Sequence, residues 1–205
     1  MHLHLTKTSE RDRHTLLILD NLPRGVLPDR ILLAFFSYPY SGEIDAHQAA
    51  ELLSILENQA RQQLLKYLAE REHSSLQCRE YLKRKSYPDD LVNRLIIEFT
   101  DRKYIDDERF AQLLINSLIE RGKSKRHIIQ KLKENELPAS VWETILASSF
   151  DPVQNSENLY EQVLKLRLRY GELPEYKQKD KVFASLMRKG YDLDDIHAAW
   201  QKSKK

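Results

Sequence analysis

The sequence lacks several features that would place the chain in well-known classes of protein. It has one cysteine in 205 residues, Cys78, so an internal disulfide is excluded and no second thiol can share a metal ion. None of its five glycines lies in a glycine-rich phosphate loop, which argues against ATP hydrolysis by the chain itself. No apolar run approaches the roughly 20 residues that span a bilayer, and the start MHLHL is too short for a signal-peptide core. Together with the lone thiol, these absences predict a protein of the reducing cytoplasm.

Charged residues are abundant and nearly balanced in sign. They make up 31% of the chain against 41% apolar residues, and the formal net charge is only +2. This mixture, with little glycine, favours helices around a thin core. Residues 1–55 carry five basic and seven acidic side chains, a charge of −2, so the remainder carries +4. The sum neither requires nor excludes a polyanionic partner, and the distribution of charge matters more.

The first 55 residues differ in pattern from the rest. HTLLILD (14–20) has the length of a strand, and NLPRG follows with turn chemistry, which predicts a small hairpin. ILLAFFSYPYSG (31–42) is apolar and aromatic and ends in turn residues. Asp45 is a predicted N-cap for a helix that begins DAHQAAELLSIL.

Three windows of 24 residues align without gaps, at 73–96, 123–146 and 177–200. Each predicts two short amphipathic helices joined by a turn. A further helix is predicted before each window, at about 57–72, 106–122 and 156–171. The matched apolar positions are Cys78, Ile128 and Val182; Leu82, Leu132 and Leu186; Tyr87, Leu137 and Tyr191; Val92, Trp142 and Ile196; and Ile96, Leu146 and Trp200.

The predicted fold is therefore all-α, with three tandem three-helix repeats that form an elongated curved body. A small N-terminal segment, in which a β-hairpin is expected, precedes them. No sustained heptads occur, so a monomer is predicted. The predicted division is an N-terminal cap segment at 1–55, repeat 1 at 56–103, repeat 2 at 104–150 and repeat 3 at 151–205.

The stretch YIDDERFA (104–111) invites a catalytic interpretation, because three acids lie between aromatic residues. Asp106 and Asp107 also stand where the first helix of repeat 2 begins, and carboxylates there cap free N–H groups and oppose the helix dipole. We favour the capping interpretation, since no matching base or metal ligand is visible. The core stripe of this helix is predicted to be Phe110, Leu113, Leu114 and Leu118.

The same stretch is similar to a segment of the RecX family, regulators of the RecA recombinase. Three further segments resemble that family in order: LAEREHSSLQCREYLKRK (68–85), RGKSKRHIIQKLKENELP (121–138) and LMRKGYDLDDIHAAW (186–200). The resemblance covers about residues 55–202. It implies a modulator that binds along the RecA–DNA filament and alters its ATPase and strand exchange. It implies neither an enzyme nor a cofactor.

This sequence departs from the family pattern mainly at turns. The usual Lys-Gly is Lys85-Ser86 in repeat 1 and Asn135-Glu136 in repeat 2, and the usual Gly-Pro of repeat 2 is Ser124-Lys125. These departures affect surface contacts more than the fold.

Basic residues form four clusters that are candidates for binding DNA or the RecA filament. Three of their positions recur between windows: Lys83 with Lys133, Arg84 with Arg188, and Lys85 with Lys189. A repeated cationic stripe would contact phosphates, or acidic patches of a partner, without reading sequence. The alternative is a set of solvated helix faces balanced by neighbouring acids. The candidates are Arg79, Lys83, Arg84, Lys85, Arg121, Lys123, Lys125, Arg126, Lys131, Lys133, Lys165, Arg167, Arg169, Arg188 and Lys189, with Lys202, Lys204 and Lys205 at the tail.

Two other functions remain open from the residues alone. One is a general helical nucleic-acid-binding protein without a recombinase partner. The other is a helical ribonuclease that uses Arg121 and His127, although the histidines show no metal-ligand spacing. Cys78 is expected to pack in the core rather than to react. Four tyrosines could stack on bases, but we expect them half-buried at helix junctions: Tyr81, Tyr104, Tyr170 and Tyr176.

Overall fold

The structure is a computed structural model that describes residues 1–7, 13–36 and 39–204. Its contacts divide the chain into two compact units, Met1–Asp106 and Asp107–Lys205. The described residues are mostly helical, with a small antiparallel sheet at the N-terminus. The predicted class of fold, helical repeats after an N-terminal β-segment, is confirmed. In the described part of the chain, every helix is too short or too polar to cross a bilayer.

The N-terminal sheet has four strands in the order β3-β2-β1-β4, all antiparallel. They are β1 (His2–Thr6), β2 (His14–Leu19), β3 (Leu22–Pro28) and β4 (Tyr40–Glu43). MHLHL therefore begins a strand, whose leucines are buried and whose histidines are exposed in strict alternation. The sequence interpretation had missed both β1 and β4. Ser37 and Tyr38 of the aromatic segment lie outside the described residues.

The predicted hairpin exists, but its turn is shorter than expected. Asp20 and Asn21 form it, with φ of 50° and 63°, which are the two positive values that a type I′ hairpin turn requires. The residues LPRG, expected in the turn, lie in β3. Gly25 is needed there for a close approach, because a Cβ at this position would lie 2.6 Å from Cδ1 of Tyr87. The Tyr87 hydroxyl donates to the carbonyl oxygen of Val26 at 3.5 Å, so the hairpin packs on the turn of repeat 1.

The helices of the first unit are α1 (Asp29–Leu32), α2 (Ala46–Glu70), α3 (Ser75–Arg84) and α4 (Asp89–Asp101). Asp45 caps α2 as predicted, and with Gln48 it forms a capping box. The helices expected on either side of residue 55 are one continuous helix of 25 residues. Its buried leucines join those of the sheet and of α3 and α4 in a single apolar core.

Over residues 107–204, the second unit has six helices and two apolar cores. The helices are α5 (Asp107–Glu120), α6 (Lys125–Glu134), α7 (Ala139–Ser149), α8 (Pro152–Arg169), α9 (Glu175–Met187) and α10 (Leu193–Lys202). The helices α5 to α7 surround one core, and α8 to α10 surround the other. Each core thus belongs to one three-helix repeat.

The repeat alignment is confirmed position by position. All fifteen matched apolar side chains are buried, and the six at the first two matched positions, Cys78 among them, are fully inaccessible. Cys78 therefore packs in the core, as expected. The stripe predicted for α5 is wrong at one place: Leu113 is 51% exposed, and Ala111 and Ile115 are buried instead.

The middle helix of each repeat ends in the same way. A residue with a positive φ lies two or three positions beyond its last residue, at Ser86, Glu136 and Gly190. In each case the next N–H bonds to a carbonyl oxygen five residues earlier, which is the Schellman pattern of helix termination. The family's usual glycine thus marks a left-handed position, and two repeats of this chain fill it with other residues.

Candidate functional site

The first basic cluster lies on α3 of repeat 1 and is partly occupied by local contacts. Lys83 pairs with Asp89 at 2.9 Å, and Arg79 hydrogen-bonds to the side-chain oxygen of Asn93. Lys85 lies 6.0 Å from the ring centre of Tyr81, and Arg84 is exposed. Exposed pairs of this kind contribute little to stability and exchange readily with solvent. The cluster therefore remains accessible to an anion.

Beside this cluster, repeat 1 buries a histidine in a stack of rings. His73 is 1% exposed, and its ring centre lies 3.7 Å from that of Tyr67, which in turn stacks on Tyr81 at 4.2 Å. Nδ1 contacts Oε1 of Gln77 at 3.0 Å, while the buried Nε2 has no hydrogen-bond partner within the described residues. Burial lowers the pKa of His73 below its ordinary value, so the folded state holds a neutral ring.

We therefore expect the stability of the first unit to fall with acidification. Because the folded-state pKa lies below the unfolded value of about 6.5, the stabilisation is complete above that pH and is lost as the pH falls towards the folded value. Urea midpoints followed by circular dichroism, at about pH 8 and about pH 5, measure the effect. His73→Phe keeps the stack and cannot titrate, so its midpoint should change less between the two pH values. An equal change in both proteins would contradict this expectation.

The second cluster surrounds the start of α6 in repeat 2. Arg121, Lys125 and Arg126 are exposed, and Lys123 is half-buried. Ser124 caps the helix by accepting a hydrogen bond from the N–H of His127 at 3.2 Å. Helix N-termini attract phosphate, so these cations surround a terminus that itself favours anions. Further along the same helix, Lys131 pairs with Glu134 and Lys133 is exposed.

The third and fourth clusters, in repeat 3, differ in what their members do. Arg167 lies 4.9 Å from the ring centre of Trp200 and hydrogen-bonds to Ser203, which gives it a structural role. Lys165 and Arg169 on the same helix are exposed, as is Arg188 after α9. Lys204 contacts Glu175, and Lys205 lies outside the described residues.

The second unit brings lysines of both its repeats together around one amide, Gln162 of α8. Gln162 Nε2 lies 3.3 Å from the carbonyl oxygen of Gly122, the neighbour of Lys123. Its Oε1 accepts a hydrogen bond from the ammonium of Lys189. Lys165 lies three residues further along α8, on the same face of the helix. We call Lys123, Lys165 and Lys189 the three-lysine cluster.

The electrostatics of Lys189 reflect this grouping. Burial lowers the pKa of Lys189, and the charges of Lys123 and Lys165 lower it further. Within the described residues, neither Lys123 nor Lys189 forms an ion pair, whereas Lys165 reaches Glu161 at 3.4 Å. Positive charge at this place is therefore incompletely compensated.

Hydrogen bonds between backbone and side chains hold the loops that carry this cluster. Ser124 Oγ donates to the carbonyl oxygen of Gly190 at 2.6 Å, and the Tyr191 hydroxyl donates to that of Gly122 at 3.1 Å. Sequence reasoning missed Ser124, Gln162 and Tyr191 as positioning residues. One signal was available, because Ser124 aligns with Ser74, which caps α3 in the same way.

The remaining residues singled out in the sequence lie at helix starts and helix junctions or on the surface. The acids of YIDDERFA lie at the start of α5, with Asp107 and Glu108 in its first turn. His127 is half-buried beside Gly190, and burial, followed by the charges of Lys123 and Lys131, lowers its pKa. Across residues 1–7, 13–36 and 39–204, no three His, Cys, Asp or Glu side chains are grouped so as to hold a metal ion. Of the four tyrosines, Tyr81 and Tyr170 are half-buried as expected, but Tyr104 and Tyr176 are 50% and 64% exposed.

This arrangement defines a class: a three-helix-repeat protein with basic surfaces. Family models for the first, second and third three-helix domains of RecX match residues 60–98, 106–146 and 154–200 in that order. The chain belongs to the RecX family. Membership implies a regulatory protein rather than an enzyme.

Known relatives and solved structures are similar over most of the chain. The regulatory protein RecX of Streptococcus pneumoniae serotype 19F (strain G54) is 24% identical over 97% of this chain and 76% of its own length. That of Streptococcus gordonii is 22% identical over the same shares. A crystal structure of regulatory protein RecX superposes with a TM-score of 0.61 at 22% identity, covering 95% of this chain and 97% of that one. The RecX structure from Lactobacillus salivarius gives 0.57 at 20% identity, covering 71% and 95%.

Proposed function

We propose that this protein binds the RecA–DNA filament in the cytoplasm and lowers RecA ATPase and strand exchange, and thereby regulates recombination, DNA repair and the SOS response. The observation that carries the proposal is the match of three RecX domains in order along the chain. The incompletely compensated lysines of the second unit support it, because a RecA filament on DNA presents phosphates. We propose that the protein acts as a monomer. We also propose that its chain is organised in four segments, 1–55, 56–103, 104–150 and 151–205, with α2 running across the first boundary.

The first test is ATP hydrolysis by the cognate RecA on single-stranded DNA, with this protein titrated in at substoichiometric amounts. We expect the rate to fall. Changing Arg121, Lys123, Lys125 and Arg126 together to Ala should raise the concentration needed for half the effect by roughly tenfold, because binding through phosphates weakens with each lost cation.

A control comes from three lysines of α9. Lys177, Lys179 and Lys181 are outside every candidate cluster, and each lies between 5.2 and 5.8 Å from an aromatic ring centre. Replacing these three by Gln should leave the half-effective concentration within about twofold. An unchanged ATPase rate with the unmodified protein, at every ratio to RecA, would contradict the proposed function.

A general nucleic-acid binder makes a different prediction in the same experiment. It would coat free single-stranded DNA and slow RecA only at concentrations that saturate the DNA. Adding this protein after the filament has formed separates the two functions, because a filament-directed regulator should then act at a small fraction of the RecA concentration.

A further inference from the structure

The three-lysine cluster differs from most surface lysines in how its positive charge is compensated. Lysines on helices ordinarily pair with acids three or four residues away, as Lys131 does with Glu134. Lys189 instead bonds to a neutral amide, and the charges that act on it are those of two other lysines. Like charges held together lower stability unless an anion is bound between them.

The loops that carry the cluster are fixed rather than free to spread apart. Lys189 and Gly190 follow the end of α9, and Ser124 is anchored to both, through its N–H to the Lys189 carbonyl at 3.3 Å and through Oγ to the Gly190 carbonyl. Gly122 accepts hydrogen bonds from Gln162 and from Tyr191. These hydrogen bonds therefore hold the backbone that carries Lys123 close to the backbone that carries Lys189.

The chemistry of the cluster selects among anions. Its donors are ammonium groups, which are compact point charges, and no guanidinium shares the cluster to form the planar fork that matches a carboxylate. The cluster carries one ammonium group on a loop, one on a helix face and one at a helix end, and each can donate to an oxygen of a tetrahedral group. The N-terminus of α6, ten residues long and capped by Ser124, adds its dipole beside Lys123.

We propose that Lys123, Lys165 and Lys189, positioned by Gln162, form a binding site for the phosphodiester backbone of single-stranded nucleic acid. This choice of ligand rests on the proposed function, in which single-stranded DNA runs through the partner filament. The site carries no donor set for base edges, so it holds the backbone without reading sequence.

Binding of a fluorescent oligothymidylate, followed by anisotropy over a series of salt concentrations, tests the proposal without RecA. The triple variant Lys123→Gln, Lys165→Gln and Lys189→Gln should bind about a hundredfold more weakly at roughly 0.1 M salt. Its slope of log K against log salt should be shallower by about 2, since each phosphate contact on a single strand contributes about 0.7. Lys177, Lys179 and Lys181 changed to Gln remove the same charge and should leave the slope within about 0.7 of the original.

The triple variant should fold, because it removes a half-buried charge and the repulsion around it. Its thermal midpoint should equal or exceed that of the unmodified protein, and Lys189→Gln alone should show the same direction. Equal loss of binding in the triple variant and its control would overturn the proposal, as would an unchanged slope. If labelled polyglutamate binds more tightly than oligothymidylate, the ligand of the site is an acidic protein surface and not a phosphate backbone.

The two proposals fail in different ways. If the unmodified protein slows RecA and the triple variant binds oligothymidylate normally, the phosphate site is wrong and the proposed function stands. If the triple variant loses oligothymidylate binding as expected while the unmodified protein has no effect on RecA, the site stands and the proposed function is wrong.

Discussion

Replacing Trp200 by alanine is expected to destabilise repeat 3 by about 3–5 kcal/mol, the range found for removing a buried Trp or Phe. Trp200 is 1% exposed and packs edge-on against Phe183, with ring centres 6.0 Å apart. It also lies 4.9 Å beneath the guanidinium of Arg167. Its loss therefore leaves both a cavity and a cation without its aromatic partner. That cost is a large part of the 5–15 kcal/mol that stabilises a typical domain.

The experiment has a built-in reporter, because the chain contains only two tryptophans. In Trp200→Ala, the remaining Trp142 lies in the core of repeat 2, so its fluorescence reports on that repeat while circular dichroism reports on all helices. With a urea m value of about 2 kcal/mol/M, the urea midpoint followed by circular dichroism should fall by about 1.5–2.5 M. Trp200→Phe keeps a ring in the core and gives the same single reporter, so it is the matched control. Midpoints that agree within about 0.3 M between the two variants would contradict the argument.

Most of the fold could be predicted from the apolar periodicity, because this periodicity depends only on local sequence. The fifteen matched positions follow from the spacing of buried side chains on short helices, and all of them are buried. The same reasoning failed at α5, where Leu113, Leu114 and Ile115 are consecutive and equally apolar. Which of them faces the core depends on the neighbouring helix and not on α5 itself. The continuity of α2 could have been predicted from the sequence, because neither Gly nor Pro interrupts residues 46–70.

The N-terminal strands show where local sequence is insufficient. Strand β1 pairs with β4 through partners such as His4 and Ser41, far apart along the chain. A strand of four or five residues becomes stable only through such distant pairing, so its own sequence gives a weak signal. The alternation in MHLHL was present but too short to decide the assignment.

The candidate site was predictable as a set of residues but not as an arrangement. Window alignment places Lys85 and Lys189 at one position, yet Lys85 lies over Tyr81 while Lys189 bonds to Gln162. Gln162 is outside the aligned windows, and its contacts join two repeats. No pattern within a single repeat can therefore reveal it.

The turn between α9 and α10 provides the second large effect, because it packs against the start of α6 in repeat 2. Gly190 has a φ of 86°, and a Cβ there would lie 2.7 Å from both Cβ of His127 and Oγ of Ser124. Gly190→Ala should thus cost about 2–5 kcal/mol, from backbone strain of about 1–2 kcal/mol and overpacking of about 1–3 kcal/mol. The left-handed backbone alone does not explain this cost, since Ser86 and Glu136 adopt it with φ of 61° and 53°.

At the matched positions 136 and 190, we therefore expect the two opposite substitutions to change the free energy of unfolding in opposite directions. Glu136→Gly removes strain at the left-handed position of repeat 2 and should stabilise the chain by about 0.5–1 kcal/mol, after the entropy lost by glycine is deducted. Gly190→Ala reverses that substitution at a site without free space and should lower the urea midpoint followed by circular dichroism. If the two variants shift the urea midpoint by similar amounts in opposite directions, backbone conformation alone explains both effects. The packing of Ser124 and His127 on Gly190 then makes no contribution.

A double-mutant cycle with Ser124→Ala separates the two causes of the Gly190→Ala effect. Ser124→Ala alone should cost about 1 kcal/mol, because Oγ no longer caps α6 or donates to the Gly190 carbonyl. It also removes one of the two atoms that clash with the new methyl group. Gly190→Ala should therefore cost less in that background, with a coupling of about 1 kcal/mol, which is typical of residues in contact. Strict additivity would mean that the strain lies in the backbone of residue 190, and that the junction between repeats 2 and 3 tolerates a methyl group that the geometry says it cannot hold.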